Sequence, residues 1–160
     1  MTVLVTGANG LIGRALCERL QQKKQAFRAA VRSSVPSLAG CDVAEVGELN
    51  QATHWCGALN GVDIVIHLAA RVHVMHDKAA DPLAAFRAVN VAGTLNLARQ
   101  AADAGVKRFV FISSVKVNGE ISQPGRPFTE ADSPNPLDAY GQSKHEAEQG
   151  LRQIAADTGM

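Results

Sequence analysis

Three glycines near the start of the chain constrain its fold more than any other feature. Gly7, Gly10 and Gly13 stand in the run Thr6-Gly7-Ala8-Asn9-Gly10-Leu11-Ile12-Gly13. The run follows a β-branched segment and opens a segment of helical periodicity. In a strand–turn–helix unit the first glycine permits a tight turn, the second lets a pyrophosphate approach the backbone, and the third allows close helix–strand packing. The helix N-terminus then presents free N–H groups and a partial positive charge to the phosphates. The expected phosphate-binding residues are Gly7, Asn9, Gly10, Leu11, Ile12 and Gly13. A simple βα turn needs fewer glycines than this.

The rest of the chain repeats the same alternation. Short apolar, β-branched runs predict strands at 2–6, 26–31, 44–47, 62–67 and 108–113, and helical periodicity predicts helices at 11–22, 49–59, 82–104 and 137–157. Strands alternating with helices specify an α/β fold, a doubly wound parallel sheet. The fourth and fifth strands are nearly continuous apolar runs, which predicts cover on both faces. Asp81-Pro82 supplies an N-cap acceptor and a proline at the first helical position, and Gly105 suits a left-handed C-terminal cap. Leu95, Leu97, Ala98 and Ala101 form the expected sheet-facing stripe, with Arg99, Gln100 and Asp103 towards solvent. One connection, 114–136, is long and rich in proline and glycine, and it follows the carboxyl end of a strand. Open α/β sheets bind ligands at that edge.

Composition narrows the class. The chain has 160 residues, 46% hydrophobic and 19% charged, with a formal net charge of +1, which fits one globular domain. Near-neutral charge gives no sign of a nucleic-acid or membrane partner, and no apolar run approaches the roughly 18–20 residues of a membrane span. The N-terminus has neither the basic start nor the cleavage site of an export leader. Cys17, Cys41 and Cys56 form no even set and no CxxC pair. Together these features predict a cytoplasmic protein with reduced thiols. The last residues fall just past a helix, where a further strand would begin. The expectation is a dinucleotide-binding domain over 1–160 that is a fragment, without later strands or a C-terminal substrate-binding region.

The end of the second strand bears on the choice of dinucleotide. An acidic residue there would bind the ribose 2′-hydroxyl of NAD, whereas arginine accommodates the 2′-phosphate of NADP. The chain has Val31-Arg32-Ser33-Ser34 and no acid, so Arg32 favours NADP(H) over NAD(H). A solvated surface arginine is the bland alternative, and Arg28 on the strand is a weaker competitor.

Tyr140 and Lys144, in Tyr140-Gly141-Gln142-Ser143-Lys144, are four residues apart and share one helix face. Free tyrosine has a pKa of about 10, and a nearby ammonium favours the phenolate. Such a pair can take a proton from a hydroxyl while hydride leaves the same carbon. Tyr140 is the only tyrosine in the chain. Ser113 and Ser114 end the fifth strand, where one hydroxyl can bond a reacting oxygen. Paired serines also cap strand ends for trivial reasons.

The combination resembles the extended branch of the short-chain dehydrogenase/reductase family, especially the NAD(P)-dependent epimerases and dehydratases of the UDP-glucose 4-epimerase kind. Beyond the glycines and the Tyr-Lys pair, the resemblance rests on Val65-Ile66-His67-Leu68-Ala69-Ala70, Asn90-Val91-Ala92-Gly93-Thr94, Gly47-Glu48-Leu49 and Pro127-Phe128-Thr129-Glu130. It implies a Rossmann-type sheet of order 3-2-1-4-5 and a nucleotide-sugar substrate. Hydride transfer would occur at a sugar hydroxyl or carbonyl, and a homodimer is compatible with the family. It also implies cofactor contacts from Leu68, Ala69, Ala70, Asn90 and Ser113, adenine contacts from Glu48 and Leu49, and a ribose contact from Lys144. Ser114, Tyr140 and Lys144 would form the catalytic set. Two departures stand out: Glu48 replaces the usual aspartate, and Val117-Asn118-Gly119 replaces the usual Val-Tyr-Gly.

Two other readings use the same scaffold. One is a carbonyl reductase of steroid or flavonoid type. The other is a non-catalytic dinucleotide-binding regulator, which would commonly have lost the tyrosine or lysine. His73 with His76, and His54 with Cys56, lack the further ligands a zinc site requires, so no metal is expected. His67 reads as a packed, hydrogen-bonded histidine, and Trp55 and Phe86 as core.

Overall fold

The computed structural model describes residues 1–33, 38, 40–72 and 80–160. His73 and His76 lie outside them, as does Ser34. Five parallel strands, β1 (Val3–Thr6), β2 (Phe27–Val31), β3 (Asp42–Glu45), β4 (Ile64–His67) and β5 (Arg108–Phe111), form one sheet in the order β3-β2-β1-β4-β5. This is the expected 3-2-1-4-5 order. Central β1 is buried along its length, and its side chains alternate between two cores. Leu4 joins Trp55, Leu59, Val65, Leu97 and Ala101, while Val3 and Val5 join Cys17, Ala29 and Val31. Apolar cover on both faces is what a parallel sheet requires. It is complete at β1 but not at β5, where Phe109, Val110 and Phe111 are only half-buried. The reason is position: β5 is the last strand in the sheet order.

The helices are α1 (Leu11–Gln22), α2 (Cys56–Leu59), α3 (Pro82–Phe86), α4 (Thr94–Asp103) and α5 (Ala139–Thr158). The expected helix over 49–59 shrinks to the single turn of α2. Upstream, the Ala52 N–H donates to Asn50 Oδ1 at 2.7 Å and the Asn50 N–H to Thr53 Oγ1 at 2.9 Å. Thr53 Oγ1 donates in turn to the Glu48 carbonyl at 2.6 Å. These bonds give the backbone an alternative to helix.

The expected helix over 82–104 forms, but α3 and α4 are joined by a π-helical segment, Arg87–Gly93. Asp81 caps its start by accepting from the Ala84 N–H at 3.0 Å. Gly105, at φ +79°, ends it, with the Gly105 and Val106 N–H groups donating to the Ala102 and Ala101 carbonyls. Leu97, Ala98 and Ala101 are fully buried as predicted. Leu95 instead faces α5, where a side chain at Gly150 would collide with it. Gln100 does not face solvent: it accepts from the Trp55 N–H and donates to the Thr53 carbonyl, both at 2.9 Å.

α5 begins two residues later than predicted because Asp138 is its cap. Asp138 Oδ1 accepts from the Gly141 N–H at 2.6 Å and Oδ2 from Lys116 Nζ at 2.7 Å. The connection 114–136 carries a short 3-10 turn at Val115–Val117 and is tied back where the Asn135 N–H donates to the Val117 carbonyl. No helix among the described residues is long and apolar enough to cross a membrane.

Candidate functional site

A cleft of about 620 Å³ opens at the carboxyl ends of β1, β2, β3 and β4, a size typical of small-molecule sites. It gathers Gly7, Asn9, Gly10, Leu11, Ile12, Gly13, Arg32, Glu48, Leu49, Leu68, Ala69 and Ala70. These are twelve of the residues singled out from the sequence. Asn90, Ser113, Ser114, Tyr140 and Lys144 do not line it.

The glycine turn owes its shape to crowding. Gly7 sits at φ +65°, and a Cβ there would lie 2.8 Å from the Ala69 nitrogen. A Cβ on Gly13 would lie 2.1 Å from the Gly7 carbonyl oxygen, so α1 can pack this close only with glycine at that position. No side chain caps α1, and its first turn holds no acidic residue. Its positive end therefore faces the cleft uncompensated, which suits a pyrophosphate. Thr6 supports the turn from below. Its Oγ1 accepts the Leu68 and Ala69 N–H groups, each at 3.1 Å, and contacts His67 Nδ1 at 2.7 Å.

That contact settles the state of His67. With its acceptor sites taken by two N–H groups, Thr6 Oγ1 must donate to Nδ1. The His67 proton is then on Nε2, which donates to Thr94 Oγ1 at 2.9 Å. The imidazole is neutral. Burial, with the charge of Lys144 adding to it, pushes its pKa down to about 3. His67 is a strut, as the sequence suggested.

Behind the cleft wall, α5 carries Tyr140 and Lys144. Lys144 is buried, and its Nζ donates to the Ile112 carbonyl at 2.6 Å and lies 3.8 Å from the centre of the Phe111 ring. Burial lowers its pKa to about 8, with Glu148 opposing the shift. The carbonyl and the ring also favour the charged form. Ile112 itself lines the cleft, so the residue that accepts from the ammonium belongs to the cleft wall. Tyr140 is half-buried and packs edgewise on Phe86, with ring centres 6.0 Å apart. Phe86 is core, but it is also the platform for Tyr140.

Two further ties bind α5 to the cleft, and neither was read from the sequence. Asn90, turned inward by the π segment, accepts the Arg71 N–H at 2.8 Å and donates to the Arg71 carbonyl at 3.0 Å. Its remaining N–H donates to Ser143 Oγ at 3.0 Å, and Ser143 donates to the Tyr140 carbonyl at 2.7 Å. Arg71 is a cleft residue. The second tie joins Ser113 Oγ to the Glu148 carboxylate. The two serines therefore differ. Ser113 spends its proton on Glu148, whereas among the described residues Ser114 Oγ only accepts the Lys116 N–H, at 3.3 Å. The signal for Ser143 was its place as a small polar residue between Tyr140 and Lys144.

At the opposite end of the cleft, Arg32 Nη1 lies 3.4 Å from Glu48 Oε1. Among the described residues no three His, Cys, Asp or Glu side chains come together as a metal site would require.

Comparison with known proteins places this geometry in a lineage. The chain is 47% identical over 160 residues to UDP-glucose 4-epimerase of Vibrio cholerae, covering 99% of this chain and 48% of that protein. A short-chain dehydrogenase/reductase superfamily protein from Agrobacterium tumefaciens, solved with bound NAD, superposes with a TM-score of 0.86 at 32% identity. That match covers all of this chain and 47% of the other. MoeE5, solved with UDP-glucuronic acid and NAD, gives a TM-score of 0.84 at 31% identity over 98% of this chain and 50% of its own. The chain thus spans about half the length of the relatives it matches. The profile of the NAD dependent epimerase/dehydratase family matches residues 3–160, and the chain belongs to that family.

Proposed function

We propose that these residues form the dinucleotide-holding and proton-transferring half of an epimerase- or dehydratase-type oxidoreductase acting on a nucleotide-sugar. The observation that carries the proposal is Ile112, a residue of the cleft wall whose carbonyl accepts from the Lys144 ammonium. The cleft fits a dinucleotide because its cradle exists only where Cβ atoms are missing, at Gly7 and Gly13, under an uncapped helix end. Gly7, Asn9, Gly10, Leu11, Ile12 and Gly13 would hold the pyrophosphate. Arg32, Glu48 and Leu49 would hold the adenosine, and Leu68, Ala69 and Ala70 would line the remaining length. When bound, the cofactor supplies hydride acceptance and return.

The chain's own residues supply the rest. Tyr140 would take the proton from a substrate hydroxyl as hydride leaves the same carbon for the cofactor, and Lys144 would favour the phenolate that accepts it. Ser114, whose hydroxyl donates to no partner among the described residues, would donate to the reacting oxygen. Asn90 and Ser113 act by fixing α5 against the cleft wall.

NAD(H) and NADP(H) both fit this reading. The family's NAD dependence supports the first, and Arg32 with no acid at the end of β2 supports the second. The two solved structures named above both hold NAD, and one of them holds UDP-glucuronic acid as well, which supports a nucleotide-sugar substrate. Three free thiols support a cytoplasmic setting. A homodimer is compatible with the resemblance, and sedimentation would test it. The substrate-gripping region belongs, on this proposal, to sequence outside these 160 residues, and the chain alone should show negligible turnover.

Calorimetric titration with NAD(H) and NADP(H), on this chain and on Arg32→Asp, is the direct test. Binding of both is expected, with the NADP affinity falling at least tenfold relative to NAD in Arg32→Asp, since one bidentate charged contact is worth about 1.5–3 kcal/mol. Failure to bind either would remove the proposal.

A further inference from the structure

The adenosine end of the cleft holds a charge arrangement that the sequence does not announce. β2 and β3 run in parallel register, Val31 beside Glu45, and the Val46 N–H donates to the Val31 carbonyl at 2.9 Å. The chain leaves both strands at the same edge. Gly47, at φ +69°, turns the exit of β3, and the Glu48 carbonyl is pinned by the Thr53 hydroxyl. The backbone of Glu48 is fixed, and its carboxylate meets the Arg32 guanidinium at 3.4 Å, with both side chains 73% exposed. Both line the cleft. The arginine that would receive a 2′-phosphate already has an anionic partner.

Resting on the dinucleotide reading above, we infer that Glu48 is the specificity-determining residue of the adenosine site. From the exit of β3 it supplies the carboxylate that the exit of β2 lacks, and it holds Arg32 against a 2′-phosphate. An exposed pair of this kind is weak and exchangeable, so it tunes the choice without closing the site. With NAD, the carboxylate can accept a bond from a ribose hydroxyl while Arg32 stays paired. With NADP, a group of charge near −2 must displace the carboxylate from Arg32 and then remain beside it. At ~6 Å in a water-like medium, repulsion between those charges amounts to about a tenfold loss of affinity. On this inference Glu48 sets the ratio in which the site takes the two dinucleotides.

The test is calorimetric titration of this chain and of Glu48→Gln with NAD+ and NADP+, read as the ratio of the two affinities. The ratio is the right quantity because the two ligands share their adenine, so any change in a common contact cancels. Glu48→Gln should shift the ratio towards NADP by about tenfold. In an Arg32→Ala background the carboxylate–phosphate repulsion persists, so the same substitution should still shift the ratio towards NADP by about tenfold. A change below about twofold in the Arg32-containing chain, with either dinucleotide still bound, overturns the role of Glu48 and leaves the dinucleotide reading intact. If the unsubstituted chain binds neither, both fall together.

Discussion

Thr6, His67 and Thr94 form a chain of buried donors and acceptors in which each proton has one place to go. A neutral His67 has a measurable consequence. Its pKa of about 3 in the folded protein lies below the ordinary value of 6.5, so between the two the unfolded chain binds a proton that the native state refuses. Stability is full above pH 6.5 and is lost as pH falls towards 3, with a slope approaching about 1.4 kcal/mol per pH unit from this group. Thermal midpoints recorded from pH 7 to pH 4 should fall more steeply for the natural chain than for His67→Gln; parallel curves would exonerate the imidazole. Lys144 behaves in the same sense at higher pH. With a folded pKa of about 8 against 10.5, it costs stability at neutral pH, and that cost is relieved as pH rises through 8. Lysine-side-chain NMR should place its midpoint near 8. Phe111→Leu should lower the midpoint further, because the ring favours the cation. A midpoint at or above 10.5 would rule out the burial described for Nζ.

At the scale of elements, the turn between β1 and α1 is the least forgiving part of the fold. Gly13→Ala sets a methyl against a backbone oxygen with no flexible side chain to give way. It should destabilise the protein by about 1–3 kcal/mol and abolish dinucleotide binding. Gly10→Ala meets the Gly7 oxygen at 3.2 Å and replaces the residue at the N-cap position of α1, so it should lower the urea midpoint less than Gly13→Ala does while weakening binding. Urea melts of the two variants separate these outcomes. This turn was legible in the sequence because its cause is local: three glycines, one strand before and one helix after. The Asp81 cap and the Gly105 terminator were legible for the same reason. The π segment was not. Asn90 reaches Arg71 and Ser143, 19 and 53 residues away, and no hydrophobic period encodes a turn shaped by distant partners. The shortened α2 escaped notice differently, since Asn50 and Thr53 make local bonds that a reading based on apolar spacing passes over.

For the molecule as a whole, the order of strands and twelve of the cleft residues followed from pattern and resemblance. The pairings that organise the cleft did not. Arg32 with Glu48 spans 16 residues and Ser113 with Glu148 spans 35, and both depend on how strands and helices are set side by side. The core itself contributes one more property. Trp55 is the chain's only tryptophan; it is buried in the core beside Leu49, yet it forms part of the cleft wall. The protein therefore carries a single built-in optical probe at the place where adenosine would rest. Excited in the ultraviolet, that indole should hand its energy to a reduced nicotinamide in the same groove. Its emission would dim as blue cofactor fluorescence grows, and an indole signal indifferent to saturating NADH would send the search for the binding groove elsewhere on the surface.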